Sequence, residues 1–358
     1  MTERVTLEEL AIPETLDGAG GAAFREMVGV RNTIESAAMG SDDFAPTAEE
    51  LLPLWRNTVD EPKRLLIARV DGVIVGRGVL ELPTEEGSTT AFVSVEVLPD
   101  YREAGIGTAM LEAIESWATA AGRSILESFV THGPLRGGPE LAPPTGFGAV
   151  PADSPEVRFA LGRGYRLEQV ARMSMLDVDD VLPTIRDVLD AAAAHAAGYV
   201  VETAAGIPPQ EWWEDLALLQ RRMSTDAPAA GLELDEQDWD ADRVLRTATD
   251  REEGGRTALT AVARDTADGR IVAFSELLVP SDPERAVVQD STLVLSEHRG
   301  HRLGMLVKAA NLVFLHDVSP ASRAVTTFNA EENRPMLDVN EALGFHAVGA
   351  EGAWRKDL

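Results

Sequence analysis

The sequence predicts an α/β (α+β) protein of two tandem domains, each a mixed, mostly antiparallel central sheet flanked by helices. Three observations predict it. At 358 residues the chain is long for one hydrophobic core, and about two domains is the natural division. An apolar content of 44% supplies enough material for packed cores. The order strand, loop, helix, strand, helix recurs in both halves, which points to duplication. The domains are expected at 1–178 and 199–358, joined by an alanine-rich helical linker over 179–198.

In the first half, Lys63 to Val70 reads as a strand, and Asp71-Gly72 is a strong two-residue hairpin turn into a second strand, Val73 to Leu82. Thr90 to Leu98 is a third strand, ended by Pro99. Met110, Leu111, Ile114 and Trp117 recur at helical spacing within Gly107 to Ala121, and Gly122 closes that helix. Ser124 to Val130 is a strand, 131–153 an irregular Gly- and Pro-rich insertion, Pro155 to Arg163 a short helix, and Ala171 to Val178 a strand. In the second half, Tyr199 to Thr203 is a strand and Pro209 to Met223 a helix. Arg256 to Arg264 and Ile271 to Val279 form a hairpin around Asp268-Gly269, followed by a strand over Val287 to Leu295. Gly304 to Leu315 is a helix, Ala324 to Phe328 a strand, and Arg334 to Leu343 a helix ended by Gly344-Phe345.

Composition excludes several classes. No run of about 18 apolar residues exists to span a membrane. Met1-Thr2-Glu3-Arg4 lacks the basic and then apolar build of a signal peptide, so the chain is expected in the cytoplasm. Without cysteine there is no disulfide, thiol nucleophile or Cys-based metal site. A net charge of -28 repels phosphate backbones, so nucleic acid is not an expected partner; the charge is read first as serving solubility, with attraction of a cationic substrate as the alternative.

The sharpest feature runs from Val95-Glu96-Val97-Leu98-Pro99 through Arg102-Glu103-Ala104-Gly105-Ile106-Gly107-Thr108. A strand passes through a glycine-bearing loop into a helix whose first N–H groups are unsatisfied and favour an anion. Glycine at 105 and 107 leaves room for a pyrophosphate. The loop lacks the Lys-Ser/Thr ending of a nucleotide P-loop and the acidic follow-up of a dinucleotide fingerprint.

Arg-x-x-Gly-x-Gly after Val-x-Pro resembles the pyrophosphate motif of the GNAT superfamily of acyl-CoA-dependent N-acetyltransferases. Val294-Leu295, then Arg299-Gly300-His301-Arg302-Leu303-Gly304-Met305, occupy the same place in the second half, and the later Asn329, Asn333 and Leu343-Gly344-Phe345 resemble the late strand and helix of that superfamily. The tandem arrangement is similar to that of mycothiol synthase, from which the motif details depart. The resemblance implies acetyl-CoA as cosubstrate, no metal, and direct attack by a small-molecule or peptide amine held beside the thioester. It also implies that the backbone of Val97 and Leu98, and of Val294 and Leu295, faces the pantetheine and offers an N–H to the developing oxyanion. The loops 102–108 and 299–305 would wrap the pyrophosphate, and Asn333 would contact CoA.

Departures bear on mechanism. Ala160 and Asn340 stand where many members carry a tyrosine that protonates the leaving thiolate. A CoA thiol with a pKa of about 8.5 leaves without strong acid help. Arg302 replaces the glycine found at 105. Glu96, with Glu81 on the neighbouring strand, is a candidate base in the first half; Glu276 and Asp290 are the candidates in the second, with Asn340 on the late helix. His298 and His301 are expected at the phosphates or exposed. The expectation is that the second half does the chemistry, in a monomer or a homodimer. A non-catalytic acyl-CoA-binding tandem module and an acyltransferase with another donor or acceptor are the alternatives.

Overall fold

Residues 5–358 are described by the computed structural model; Met1–Arg4, read above for the absence of a leader, lie outside the described residues. In chain order the first elements are β1 (Val5–Glu9), α1 (Gly21–Met39), α2 (Ala48–Arg56), β2 (Lys63–Val70), β3 (Val73–Glu81), β4 (Thr90–Val97), α3 (Ile106–Ala120) and β5 (Ile125–His132). The short strands β6 (Glu140–Leu141) and β7 (Val150–Pro151), α4 (Pro155–Gly162) and β8 (Arg166–Asp177) follow. Then come α5 (Val178–Ala193), β9 (Tyr199–Ala205), α6 (Trp213–Asp226), α7 (Ala241–Glu253), β10 (Thr257–Asp265), β11 (Ile271–Val279) and β12 (Val287–Val294). The last are α8 (Leu303–Val318), β13 (Ala324–Ala330), α9 (Arg334–Leu343) and β14 (His346–Asp357). One compact unit comprises 1–171, 229–234 and 349–358; the other comprises 172–228 and 235–348.

In the first unit the strand order is β1-β2-β3-β4-β5-β14. Asp71 and Gly72 have φ of 49° and 90°, the pair of positive angles a two-residue hairpin requires, and they set β2 against β3. β3 and β4 are antiparallel, β4 and β5 parallel, β5 and β14 antiparallel. Packing covers both faces of this sheet. Phe24, Met27 and Val28 of α1 bury against Leu65, Ile67 and Ile74. On the opposite face Met110, Leu111 and Ile114 of α3 pack on Val75 and Leu80. α3 comes so close to β3 that a Cβ added at Gly78 would lie 2.5 Å from Ile114 Cδ1. α2 is started by a capping box in which Thr47 and Glu50 satisfy each other's backbone N–H.

The second unit repeats the pattern with the order β13-β12-β11-β10-β9, in which β12 and β13 are the parallel pair. α8 is buried along most of its length, in the cluster that contains Ala261, Ala263 and Ala273 and in the one that contains Leu259, Leu277 and residues of α5. The alanine-rich segment after residue 178 forms α5, whose Val178 and Ile185 sit in that second core.

Several elements differ from the sequence expectation. β8 starts at Arg166 rather than near 171, because Arg166 and Glu168 mask the alternation of buried Tyr165 and Leu167. α7 has no counterpart in the sequence reading: it is mostly polar, and Asp240 caps it by accepting from the Arg243 N–H at 2.7 Å. β14 has none either, because Gly349 and Gly352 and its charged end weaken any strand signal.

Candidate functional site

β4 and β5 are paired only from Thr90 to Phe92 opposite Ile125 to Glu127. Both strands run on beyond that point, β4 to Val97 and β5 to His132, with no further pairs. The opening between them is a cavity of about 520 Å³. The Leu98 N–H donates to Val75 O on the β3 side, at 2.9 Å. Strand alternation therefore turns the Val95 and Val97 amides toward the opening and the Leu98 amide away from it. Of the two residues expected to face the thioester, Val97 lines the cavity and Leu98 does not.

At one end the cavity meets the start of α3. Gly105 caps the helix in the left-handed conformation with φ 83°, and nothing lies within 4 Å of the space its side chain would fill. Gly107, Thr108 and Glu103 also line this end; Ile106 is buried in the core, and Ala104 is not part of the lining. The Arg102 guanidinium bonds Val97 O at 3.0 Å and Glu156 of α4 at 2.9 Å, so it braces the loop against the strand. The unsatisfied N–H groups at the start of α3 and the open space at Gly105 make this end of the cavity suited to an anion.

The other end is acidic. Glu96 is held by Arg77 through two bonds of 2.9 and 2.8 Å. Burial pushes its carboxyl up, but the Arg77 charge and hydrogen bonds outweigh that and leave it below the ordinary range. Glu35 of α1 pairs with Arg31 at 2.7 Å, and burial raises its carboxyl. Glu351 of β14 lines the same cavity, and burial with the nearby Glu35 charge pushes it up to about 7. Glu81 pairs with Lys63 at 3.6 Å and lies outside the lining.

In the second unit β12 and β13 pair at Val287–Val325 and Val288–Thr326. Arg299 repeats the brace of Arg102, reaching Val294 O at 3.3 Å and Asp226 at 2.7 Å. The Leu295 N–H donates to Val272 O at 3.0 Å, as Leu98 does to Val75. Arg302 caps α8 with φ 55°, the left-handed place that Gly105 fills in α3. Gly300 is open with φ 90°, His301 packs its ring 5.4 Å from that of Tyr199, and His298 Nδ1 lies 2.9 Å from the Tyr199 hydroxyl. Leu303 is buried, Val294 and Met305 pack at the core's edge, and Gly304 lies against Val294. Asn333 caps α9 without a side-chain bond.

The candidate bases of this unit are engaged. Arg251 holds Glu276 at 2.6 Å and Asp290 at 2.7 Å, and burial raises the Glu276 carboxyl. Beside them is a cavity of about 20 Å³, too small for any substrate. Asn340 is buried and donates to Asn329 Oδ1 at 2.6 Å.

Residues 32–133, which include β4, the α3 loop and β5, match the family described as Acetyltransferase (GNAT) family. No curated protein matches the sequence significantly. Among solved structures, a tandem GNAT protein from the clavulanic acid biosynthesis pathway, determined without AcCoA, matches with TM-score 0.73 and 25% identity over 99% of this chain and 98% of its own. The chain thus has the fold of a tandem GNAT protein, with a GNAT-family match over residues 32–133. A GCN5-related N-acetyltransferase from Sphaerobacter thermophilus shares the fold at TM-score 0.63 and 14% identity, covering 99% of this chain and 95% of its own. A fungal GCN5-related glucosamine N-acetyltransferase region shares it at TM-score 0.63 and 15% identity, covering 99% of this chain and 38% of its own.

Sequence reasoning missed Glu35, Glu351 and Trp354 at the first cleft. Glu35 lies on a helix with no motif, and Glu351 and Trp354 lie on a strand with no strand signal. Only the pairing of Ala350–Asp357 with His132–Ile125 brings them to the cavity. Among the described residues no group of His, Cys, Asp or Glu is placed to hold a metal, and no helix is long and apolar enough to cross a membrane.

Proposed function

We propose that the protein transfers an acetyl group from acetyl-CoA to an amine, and that the cleft between β4 and β5 is where it does so. One observation carries this reading: a single cavity runs from the open glycine loop of α3 to a group of carboxylates. Acetyl-CoA would supply the activated acetyl group as a thioester. The α3 N-terminus with Gly105, Gly107 and Thr108 would hold the pyrophosphate, and the Val95 and Val97 amides would line the pantetheine and donate to the developing oxyanion. The carboxylates would hold a cationic amine, either a small molecule or a peptide. Such binding places both reactants together, and that proximity supplies much of the acceleration.

The second unit, expected from the sequence to do the chemistry, is the weaker candidate for it. Glu276 and Asp290 are spent on Arg251, and an arginine rather than glycine opens α8. The sites named in the loop 299–305 and at Asn333 and Asn340 remain candidates for a second CoA contact, not for the reaction.

Calorimetry of CoA with full-length variants tests the reading. Gly107→Glu puts a carboxylate against the phosphates, and CoA affinity should fall by at least about 100-fold. Gly304→Glu should leave that affinity unchanged. The reverse pattern would move the site to the second unit. CoA binding without thiol release from acetyl-CoA for any amine would favour a non-catalytic module.

A further inference from the structure

The acidic end of the cleft contains three carboxylates, and the structure separates their roles. Glu96 gives both oxygens to Arg77, and Glu35 is paired with Arg31. The Glu351 carboxyl has neither an ion pair nor a hydrogen bond among the described residues, although it lines the cavity. It stands on β14 opposite Thr131 of β5 and within electrostatic reach of Glu35. The Arg31–Glu35 and Arg77–Glu96 pairs are neutral, so an ionised Glu351 leaves one negative charge uncompensated. That is the charge of a seat for one ammonium. Ile34, Ala38 and Phe129 form apolar walls beside it. They fit an alkyl or aryl substituent on the amine.

We propose that Glu351, delivered by the last strand of the chain, takes the proton from the acceptor's ammonium, with Glu35 beside it completing the seat for that cation. The inference rests on the first-unit cleft being the acetyl-CoA site. The ammonium gives one proton to the Glu351 carboxylate and becomes a neutral amine. Its nitrogen then bonds to the acetyl carbon, the carbon–sulfur bond breaks, and the sulfur leaves with the electron pair. The second nitrogen proton passes to that thiolate through water, and Glu351 returns its own proton to solvent. The other charged groups on the surrounding elements do not displace Glu351 from this role. Arg102 and Glu156 pair with each other, Arg158 bonds the Asp153 carbonyl, and burial holds His132 of β5 below its usual range, neutral near pH 7.

A carboxyl near 7 suits this proton transfer, because it is largely ionised in mildly basic solution yet basic enough to accept a proton. The test uses the full chain with 2-phenylethylamine as probe acceptor, following thiol release from acetyl-CoA over about pH 5.5 to 9.5. Wild-type kcat/KM is expected to rise through about pH 7 and level off. In Glu351→Gln only free amine reacts, so the rate should fall about 100-fold near neutrality and climb toward the amine's own pKa of about 10. Glu351→Asp should recover part of the rate and the inflection. Calorimetric CoA affinity should be the same in all three; its absence in wild type would instead mark failure of the cleft assignment. A Glu351→Gln profile that keeps the inflection overturns the proposal. A carbon-13 carboxyl titration of the CoA-bound protein decides independently of turnover, with the Glu351 signal identified by its loss in Glu351→Gln. Titration near 7, moved lower by 2-phenylethylammonium, supports the assignment, and titration near the ordinary glutamate value of about 4.3 overturns it.

Discussion

Lys308 shows how one residue can tax the fold without touching the cleft. It lies fully buried on α8, its ammonium 5.6 Å from the centre of the Phe345 ring, and burial pushes it down to about 7. Unfolded, the same amine titrates at about 10.4. Between these values the unfolded chain binds more protons, so stability should rise with pH across that window and be lowest below it. Lys308→Met keeps the volume and removes the charge. It should raise stability at neutral pH by on the order of a few kcal/mol and flatten this pH dependence. Denaturant titrations at several pH values check it; a variant less stable than wild type near pH 7 would show that the ammonium has a favourable role. The Arg77–Glu96 pair is the opposite case. Removing Arg77 alone leaves a buried carboxylate uncompensated, so Arg77→Met should cost about 3–5 kcal/mol, while Arg77→Met with Glu96→Met should cost far less. A double-mutant cycle on chemical denaturation measures the difference.

At the scale of elements, the strand-to-helix loops before α3 and α8 are built to one plan and differ at the residue that starts the helix. α3 begins at Gly105 with φ 83°, α8 at Arg302 with φ 55°. Side chains rarely adopt this conformation, so Arg302→Gly should stabilise the second unit, by up to about 1 kcal/mol after the entropy of the added glycine is counted. Gly105→Ala should destabilise the first unit by a similar amount, which melting curves resolve. These starts and the strands before them were legible in the sequence, because the glycines and the helical spacing are local in both, as is Val-x-Pro in the first. The hairpin at Asp71-Gly72 was legible for the same reason. The acidic end of the cavity was not. Glu96 was visible on its strand, but its capture by Arg77 depends on the register Arg77↔Glu96 between β3 and β4. Glu351 lies more than 200 residues beyond the α3 loop that lines the same cavity, a distance no periodicity bridges.

At the scale of the whole molecule, the first unit is assembled from separate stretches, and the last of them, 349–358, is the end of the chain. That stretch pairs Ala350–Asp357 against His132–Ile125, and Leu358 N–H bonds Ser124 O at 2.8 Å. It also inserts Trp354, 1% exposed, among Val150, Tyr165 and Leu167. Loss of one such tryptophan costs about 3–5 kcal/mol, against a typical domain stability of about 5–15 kcal/mol. Gly352 sits where a Cβ would come within 2.8 Å of Trp354 Nε1, so even Gly352→Ala disturbs this packing. A chain ending at residue 348 therefore should lose most of the first unit's stability. β5 then keeps only its pairing with β4 at Ile125–Glu127, and its N–H groups at Ser128–His132 should lose hydrogen-exchange protection by orders of magnitude. β10 and β11 pair with each other and lie in a unit that contains none of 349–358, so their protection should persist. Hydrogen exchange read by peptide in the full and shortened chains separates the outcomes. Equal loss on β10–β11 would mean that the chain unfolds as one cooperative body, and unchanged protection on β5 would mean that β14 is dispensable to the sheet it closes.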